Sequence, residues 1–133
     1  MNIKDLLIKH EGLKLFVYKD TMGIDTIGVG RNLVNRGITR EEALLMLDND
    51  IKDFTEQLIK ALPWVATAPE QVKIVLLDMG FNLGIQGLLQ FSNTLNHIKL
   101  KQYKEAADDM MKSLWAKQVG VRAVEDCNIL RSL

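Results

Sequence analysis

The chain has few of the residues that build disulfide frameworks, metal centres and rigid loops. Its 133 residues include one cysteine, two histidines and two prolines. A lone cysteine forms no disulfide within the chain, and we expect Cys127 to be a small apolar side chain packed on the last helix. One cysteine and two histidines give no cluster with metal-ligand spacing, so the sequence implies no metal and no cofactor.

A strong charge of either sign is also missing. Seventeen basic residues balance seventeen acidic ones, although residues 1–40 carry seven basic and four acidic side chains and residues 41–70 carry two and seven. The mildly positive N-terminal region suits an anionic polymer such as a cell wall. The bias is too weak to indicate nucleic-acid binding.

No segment of the sequence is typical of a signal peptide or a membrane span. The first residues lack an apolar run of signal-peptide length. Twenty uncharged residues lie between Asp78 and Lys99, but three glycines and several amide side chains interrupt them. We therefore expect a protein that folds in the cytoplasm without stable membrane association. With 47% apolar and 26% charged residues, the composition predicts a single globular domain, which we expect to be monomeric.

The first forty residues predict a short helix followed by a hairpin. Apolar residues recur at helical spacing over residues 3–11, and Gly12 is a natural end for that helix. Two strand-like runs, residues 15–19 and 26–29, flank the sequence DTMG at residues 20–23. Aspartate at the first position and glycine at the fourth are typical of a type I turn. The sequence therefore predicts a β-hairpin.

The rest of the chain predicts a long helix and a helical lobe. Thr39 and Glu42 form a capping box at the start of a helix that is ~34 Å long. Pro69 begins an apolar helix that we expect at the centre of a bundle, with breaks at the glycines of residues 80–87 and a new cap at Ser92. The predicted fold is α+β and mainly helical. Its parts are a hairpin lobe of about residues 13–36, a linking helix of about residues 39–61, and a helical lobe of about residues 64–133 that includes the N-terminal helix, residues 3–11.

Two carboxyl groups and a hydroxyl group lie within sixteen residues near the N-terminus. Glu11 closes the first helix, Asp20 opens the turn and Thr26 follows in the second strand. Alternation along that strand predicts that Thr26 shares a face with Gly28 and Gly30, where a ligand can approach the backbone. Hydrolysis of a glycosidic bond needs one carboxyl group that stays protonated and another that stays ionised. Taken singly, each of the three residues is more typical of a structural role.

Other candidate residues have simpler explanations. Asp25 is the rival carboxylate, but strand alternation points it away from the predicted face. We interpret Trp64 and Trp115 as packing residues rather than platforms for a sugar. Asp78, alone on an apolar helix, is interpreted as a paired buried charge rather than a catalytic group.

Several short motifs follow one another along nearly the whole chain. The first and most specific block is EGL at residues 11–13, YKDTxG at 18–23 and TIGVG at 26–30. Further motifs are GIT at 37–39, FNxG at 81–84, FSNT at 91–94, EAA at 105–107 and SLW at 113–115. In these motifs the chain resembles the T-even-type phage lysozymes, also called endolysins. The resemblance implies a lysozyme-like fold and a glycosidase whose partner is the peptidoglycan polysaccharide.

The resemblance also implies catalytic roles. Glu11 corresponds to the family's proton donor, Asp20 to its second catalytic carboxylate and Thr26 to the hydroxyl that holds the attacking water. Such an enzyme is a muramidase that cleaves the β-1,4 bond between N-acetylmuramic acid and N-acetylglucosamine with inversion. Its two carboxyl groups are then expected roughly 6.5–9.5 Å apart. We also expect partial burial of Glu11 at the base of a cleft, because burial disfavours the charged form of a proton donor.

Four further residues correspond to saccharide contacts in the resembling family. Phe81 and Thr94 correspond to contact positions in the helical lobe. Asn32 and Asp109 also correspond to contact positions, but their residue types differ from those best known at these positions in the family. The chain also departs from the family in two ways. Its hairpin lobe is shorter than usual, and Arg31 stands where many relatives have histidine, so we expect the loss of a local ion pair.

Three other functions remain open on the sequence. The chain could be a catalytically weak or inactive peptidoglycan-binding homologue, a helical structural or regulatory protein, or a chitinase with the same fold. The joint presence of Glu11, Asp20 and Thr26 favours the enzyme, since a module that only binds peptidoglycan does not need all three residues. A lysozyme without an export signal is expected to stay in the host cytoplasm until a membrane pore such as a holin gives it access to the cell wall.

Overall fold

A computed structural model describes residues 2–133, which divide into two compact units. The N-terminal unit ends at Leu47 and the C-terminal unit begins at Asp48. The predicted α+β, mainly helical fold class is confirmed. The expectation of a single domain stays a prediction. The described elements are α1 (Ile3–Glu11), β1 (Lys14–Lys19), β2 (Asp25–Gly28), β3 (Arg31–Asn32), α2 (Arg40–Ala61), a 3-10 helix (Pro63–Thr67), α3 (Glu70–Leu89), α4 (Ser92–Lys99), α5 (Tyr103–Met111), α6 (Leu114–Val119) and α7 (Val121–Arg131).

The predicted helix and hairpin of the N-terminal unit are confirmed. The Asn2 side chain caps α1 by accepting a hydrogen bond from the Asp5 amide at 2.9 Å. Gly12 ends the helix with φ of +79°, a left-handed conformation that favours glycine. Strands β1 and β2 pair in antiparallel fashion. The Gly23 amide donates to the Asp20 carbonyl oxygen at 3.0 Å, as the predicted turn requires.

The second strand begins and ends one residue earlier than predicted, and a third strand follows it. Strand β2 ends at Gly28, where φ is +69°, and Gly30 also has a positive φ of +67°. The prediction that Thr26, Gly28 and Gly30 share one strand face was therefore wrong, because alternation applies only to extended backbone. The chain turns at residues 29–30 and returns as β3, which places Asn32 opposite Thr26. These pairings make a three-stranded sheet in the order β1-β2-β3.

The long helix α2 begins with the predicted capping box and crosses the boundary between the two units. The Thr39 amide donates to Glu42 Oε1 at 2.9 Å, and the Glu42 amide donates to Thr39 Oγ1 at 3.1 Å. These reciprocal bonds satisfy donors that a helix start leaves free. Of the residues in α2, only Leu58 is buried. Helix α2 thus contributes to the hydrophobic core mainly through its C-terminal half.

Helix α3 lies at the core of the C-terminal unit, as predicted. Its buried apolar residues include Val72, Val75, Leu76 and Met79. Among its glycines only Gly84 breaks the helical conformation, so the prediction of several breaks was wrong. By length and hydropathy alone α3 would suffice to cross a membrane, a property that core helices of other proteins share.

The remaining helices complete the core with small shifts from the predicted boundaries. Ser92 is the first residue of α4 rather than its cap, and Ser113 caps α6. Cys127 is fully buried, as predicted. Trp115 is also buried, and its indole nitrogen donates to Asn82 Oδ1 at 2.8 Å. The interpretation of Trp115 as a packing residue is confirmed.

Asp78 and Asp126 form a carboxyl pair at the edge of this core. Arg122 donates from Nε and Nη2 to the Asp78 carboxylate at 3.1 and 2.9 Å, which confirms the predicted pairing of Asp78. Burial alone would raise the pKa of Asp78, but hydrogen bonds with Arg122 and Asp126 lower it. Burial, followed by the hydrogen bond to Asp78 and its charge, raises the pKa of Asp126 to about 8. With a pKa raised to about 8, Asp126 is expected to be protonated at neutral pH, whereas Asp78, whose pKa is lowered, is ionised.

Candidate active site

Glu11 is placed by the end of α1 and by a contact with Gly30. It is the last residue of the helix, and Gly12 turns the chain away immediately afterwards. A Cβ atom built on Gly30 would lie only 2.9 Å from Glu11 Oε2 and 3.2 Å from Glu11 Cδ. The carboxyl group therefore lies against the backbone between β2 and β3, where only glycine leaves room for it. Glu11 is exposed, so its own unit does not provide the partial burial expected from the sequence.

Asp20 is fixed by the backbone of the turn that it opens. Its Oδ1 atom accepts hydrogen bonds from the Met22 amide at 2.8 Å and the Ile24 amide at 2.9 Å. Both bonds end on the same oxygen, so Oδ2 remains available as an acceptor for a proton or a water. The side chain is half-buried. The turn thus holds a carboxylate in one orientation with one oxygen free to react.

Thr26 occupies the middle of the sheet between Tyr18 and Asn32. It is 3% exposed, and its hydroxyl donates to the Ile24 carbonyl oxygen at 2.8 Å. A hydroxyl whose proton is engaged in this way keeps two lone pairs on Oγ1 as acceptors. Thr26 can therefore hold a water through one of the water's own hydrogens.

Two neighbouring polar residues are engaged in structural contacts. Asp25, the rival carboxylate, forms an ion pair with Lys19 across the hairpin. Asn32 uses its side-chain oxygen to accept hydrogen bonds from the amides of Val34 and Asn35 at 3.0 and 2.9 Å. Only the amide nitrogen of Asn32 is then left to contact a ligand.

Arg31 forms an ion pair that the sequence analysis did not expect. Its Nη1 and Nη2 atoms donate to the two carboxylate oxygens of Glu42 at 2.9 and 2.8 Å, and Nη1 also donates to the Gly37 carbonyl at 3.1 Å. The expected loss of an ion pair at Arg31 was therefore wrong. Hydrogen bonds from Arg31, and then from Thr39, lower the pKa of Glu42 to about 2. This bidentate ion pair connects β3 to the start of α2.

The remaining predicted contact residues belong to the C-terminal unit, at two separate grooves. Phe81 is 43% exposed and lines a groove of about 370 Å³ together with Phe54, whose ring centroid is 6.2 Å away. Thr94 and Asp109 line a second groove of about 300 Å³. Asp109 Oδ2 lies 3.4 Å from Nε2 of the half-buried His97. The structure thus brings Thr94 and Asp109 together and places Phe81 in a different groove.

Two residues have positioning roles that were not predicted from the sequence. Gly30 provides the space for Glu11, and Glu42 fixes Arg31 beside the sheet. The capping box identified Glu42 as a helix-start residue, and nothing in the sequence shows its second partner. Within residues 2–133, no group of three or more histidine, cysteine, aspartate or glutamate side chains is arranged to hold a metal ion.

Comparison with known proteins identifies the class to which this arrangement belongs. The sequence model of the phage lysozyme family matches residues 8–128, and the chain belongs to this family. It is therefore a hydrolase of the lysozyme and endolysin type. The chain is 30% identical to probable T4-type lysozyme 1 of Dictyostelium discoideum, over 92% of this chain and 89% of that protein. It is 34% identical to the endolysin of Salmonella phage P22, over 84% of this chain and 78% of that protein.

A third relative is a longer protein that the chain matches over only part of its length. The chain is 25% identical to the pre-baseplate central spike protein Gp5 of Enterobacteria phage T4, over 92% of this chain but only 26% of that protein. The alignment with the Dictyostelium lysozyme is 152 positions long. It includes 92% of the 133 residues of this chain, about 122, so this chain has gaps at about 30 of the aligned positions. The present chain is thus clearly shorter than that relative in the aligned region.

Proposed function

We propose that this chain is a muramidase that hydrolyses the β-1,4 bond between N-acetylmuramic acid and N-acetylglucosamine in bacterial peptidoglycan. In this proposal Glu11 is the general acid, Asp20 the general base and Thr26 the group that holds the attacking water. The observation that carries it is the presence of all three side chains on one compact unit, with Glu11 seated on Gly30. Membership of the phage lysozyme family supports the same chemistry.

The proposed mechanism is a single displacement with inversion. A water held by Thr26 Oγ1 attacks the anomeric carbon and passes one proton to the free oxygen of Asp20. The glycosidic bond breaks as its oxygen takes the proton of Glu11, so the protonation states of the two carboxyl groups are exchanged. Inversion of this kind needs roughly 6.5–9.5 Å between the carboxyl groups to leave room for the water. No metal and no cofactor takes part.

The saccharide contacts are part of the proposal. The exposed ring of Phe81 offers an apolar surface for a sugar ring, and Thr94 and Asp109 offer hydrogen-bond acceptors in their groove. The amide nitrogen of Asn32 is a donor on the N-terminal unit. In this proposal the enzyme is a monomer whose partner is the polysaccharide, without stable association with membranes or nucleic acids. It stays in the host cytoplasm until a membrane pore gives it access to the cell wall.

One observation favours a second candidate function. Glu11 is an exposed residue, whereas the proposed mechanism expects its proton donor at the base of a cleft. A catalytically weak or inactive homologue that binds peptidoglycan would show this property as well. The two candidates differ in turnover.

The decisive experiment is a turbidity assay on chloroform-treated Gram-negative cells. The wild-type chain is expected to clear the suspension, and Glu11→Gln is expected to lose roughly 10²–10⁴-fold in rate, the usual contribution of general acid catalysis. Lys117→Gln, which changes an exposed lysine of α6, is the control and should lyse like the wild type. Equal lysis by wild type and Glu11→Gln would refute the catalytic assignment. Binding to cell walls without lysis would establish the second candidate.

Product analysis tests the bond and the stereochemistry. NMR of freshly released reducing ends should show the α-anomer first if the β-bond is cleaved with inversion. Release from peptidoglycan but not from chitin identifies a muramidase. Equal release from chitin would identify a chitinase with the same fold.

A further inference from the structure

A groove of the C-terminal unit is lined by none of the residues assigned above. Its volume is about 480 Å³, within the range of roughly 300–1,000 Å³ that is usual for small-ligand sites. Val72 and Ile98 contribute fully buried apolar side chains to its lining. The half-buried aromatic residues Trp64 and Tyr103 line it from the 3-10 helix and from the start of α5. The groove therefore combines an apolar lining with two aromatic side chains.

The charged residues that line this groove are all basic. Lys99 and Lys101 belong to its lining, and none of its described lining residues is acidic. Lys101 is also the only residue other than glycine with a positive φ in the part of the chain that the structure describes, at +61°. Side chains rarely adopt this conformation, which persists where the surrounding structure fixes it. Here the Lys101 amide donates to the Ile98 carbonyl at 3.0 Å, which ties the turn between α4 and α5 to the end of α4.

The chemistry of this lining suits an anionic sugar. A pyranose ring presents an apolar C–H face, which packs against aromatic side chains, and a lysine ammonium pairs with a carboxylate. Single-stranded nucleic acid also binds aromatic and basic surfaces. Its affinity depends on several phosphate contacts, however, whereas this groove has two lysines and the whole chain has no net charge.

We propose that this groove is an accessory binding site for a carboxylate-bearing muramyl saccharide. The sugar ring packs against Tyr103 and against Trp64, which in this proposal is more than the packing residue expected from the sequence. The carboxylate pairs with Lys99 and Lys101. The choice of ligand rests on the proposed function, because N-acetylmuramic acid is the acidic sugar of the proposed substrate. Such a site holds a glycan strand at a second point, independently of the bond that is hydrolysed.

A matched pair of ligands tests the site directly. N-acetylmuramic acid differs from N-acetylglucosamine by its lactyl group, which carries the carboxylate. Each is titrated into the ¹⁵N-labelled wild-type chain, and because neither monosaccharide has a glycosidic bond, binding is measured without turnover. The chain has two indole N–H groups to observe, Trp64 in the groove and Trp115, which is bonded to Asn82 in the core. We expect a saturable shift of the Trp64 resonance that is stronger for N-acetylmuramic acid, with Trp115 unchanged.

Variants and salt separate the role of charge from that of the aromatic rings. The double variant Lys99→Gln/Lys101→Gln should weaken N-acetylmuramic acid binding roughly threefold to tenfold, as expected for two exposed ion pairs, and leave N-acetylglucosamine binding unchanged. Lys117→Gln is the control and should bind like the parent. Raising the salt concentration should weaken only the acidic ligand.

Four results would overturn the proposal. They are an unshifted Trp64 resonance, equal affinity for the two sugars, N-acetylmuramic acid binding that is unaffected in the double lysine variant, and stronger binding of a short single-stranded oligonucleotide. The outcome is independent of the lysis assay. A Trp64 shift with no lysis by the wild-type chain would support the accessory site and refute the muramidase. Lysis without a Trp64 shift would support the muramidase and refute the accessory site.

Discussion

The carboxyl group of Glu11 lies against the backbone of Gly30, so closely that a Cβ atom on Gly30 would come within 2.9 Å of Glu11 Oε2. This contact joins the end of α1 to the turn between β2 and β3. Gly30 has φ of +67°, so both its conformation and its lack of a side chain are required there. Glycine at this position therefore determines where the proposed proton donor can lie.

The first prediction concerns Gly30→Ala. The new methyl group should displace the Glu11 carboxyl group, and a displacement of about 1 Å can reduce a reaction rate roughly 10²-fold. The positive φ should add a stability loss of about 1–2 kcal/mol. Lysis rate and urea denaturation measure the two effects.

Gly37→Ala is the matched control for this prediction. Gly37 has a similar φ of +63°, but a Cβ atom there would meet only the Leu33 carbonyl oxygen, at 4.0 Å. It should lose similar stability and keep its lysis rate. If both variants lose lysis equally, the Glu11 contact is not the cause.

The second prediction concerns the carboxyl pair of the C-terminal unit. Asp126 is 3% exposed, and burial first, then Asp78, raises its pKa to about 8 from an ordinary value of 3.8. Arg122 opposes this shift and Glu125 adds to it. Because the folded state holds the proton more tightly, the stabilising contribution is complete below pH about 4 and is lost as the pH rises towards 8.

The variant Asp126→Asn isolates this effect, since its amide keeps the size of the side chain but does not titrate. The free energy of unfolding of the wild type should fall relative to that of the variant between pH 5 and pH 8, and the difference should stay constant above pH 9. Urea denaturation at a series of pH values measures both. Parallel pH profiles would show that Asp126 does not hold the proton.

The third prediction concerns Glu42, whose pKa is lowered to about 2 by Arg31 and then by Thr39. For a carboxyl group with a lowered pKa, the stabilisation is present above its ordinary value of 4.5 and is lost as the pH falls towards 2. Glu42→Gln keeps an acceptor for the capping box but removes the charge that pairs with Arg31. The wild type should unfold at a higher temperature than this variant at pH 7, and the difference should vanish near pH 2. A constant difference would assign the effect to the cap.

The fourth prediction concerns Gly80 of α3, which packs against Phe54 of α2. A Cβ atom on Gly80 would lie 2.0 Å from Phe54 Cζ, so Gly80→Ala should destabilise the C-terminal unit by about 1–3 kcal/mol through overpacking. Phe54→Leu removes the ring and should restore part of the loss in the double variant. Chemical denaturation of the four chains of this mutant cycle measures the coupling. Additive losses would mean that the ring and the new methyl group do not interact.

The sequence predicted those features that depend on neighbouring residues. Residues 3–11 and the stop at Gly12, the turn opened by Asp20 and the capping box of Thr39 and Glu42 were all predicted as they occur. Each is decided within a few residues by backbone conformation and local hydrogen bonds. Strand β3 was not predicted from neighbouring residues. The alternation rule assumes extended backbone, and the positive φ of Gly28 ends β2 so that the chain can turn back and pair as β3.

For the candidate site, the sequence alone supplied the residues of the proposal. It places two carboxylates and a hydroxyl within sixteen residues, a set that suits the proposed acid–base hydrolysis. Tertiary structure decided the contacts between remote residues, since Glu11 with Gly30, Arg31 with Glu42 and Asp78 with Asp126 are pairs 11 to 48 positions apart. Such contacts form only when separate elements pack, because distances between remote side chains and the burial that shifts a pKa are properties of the folded chain.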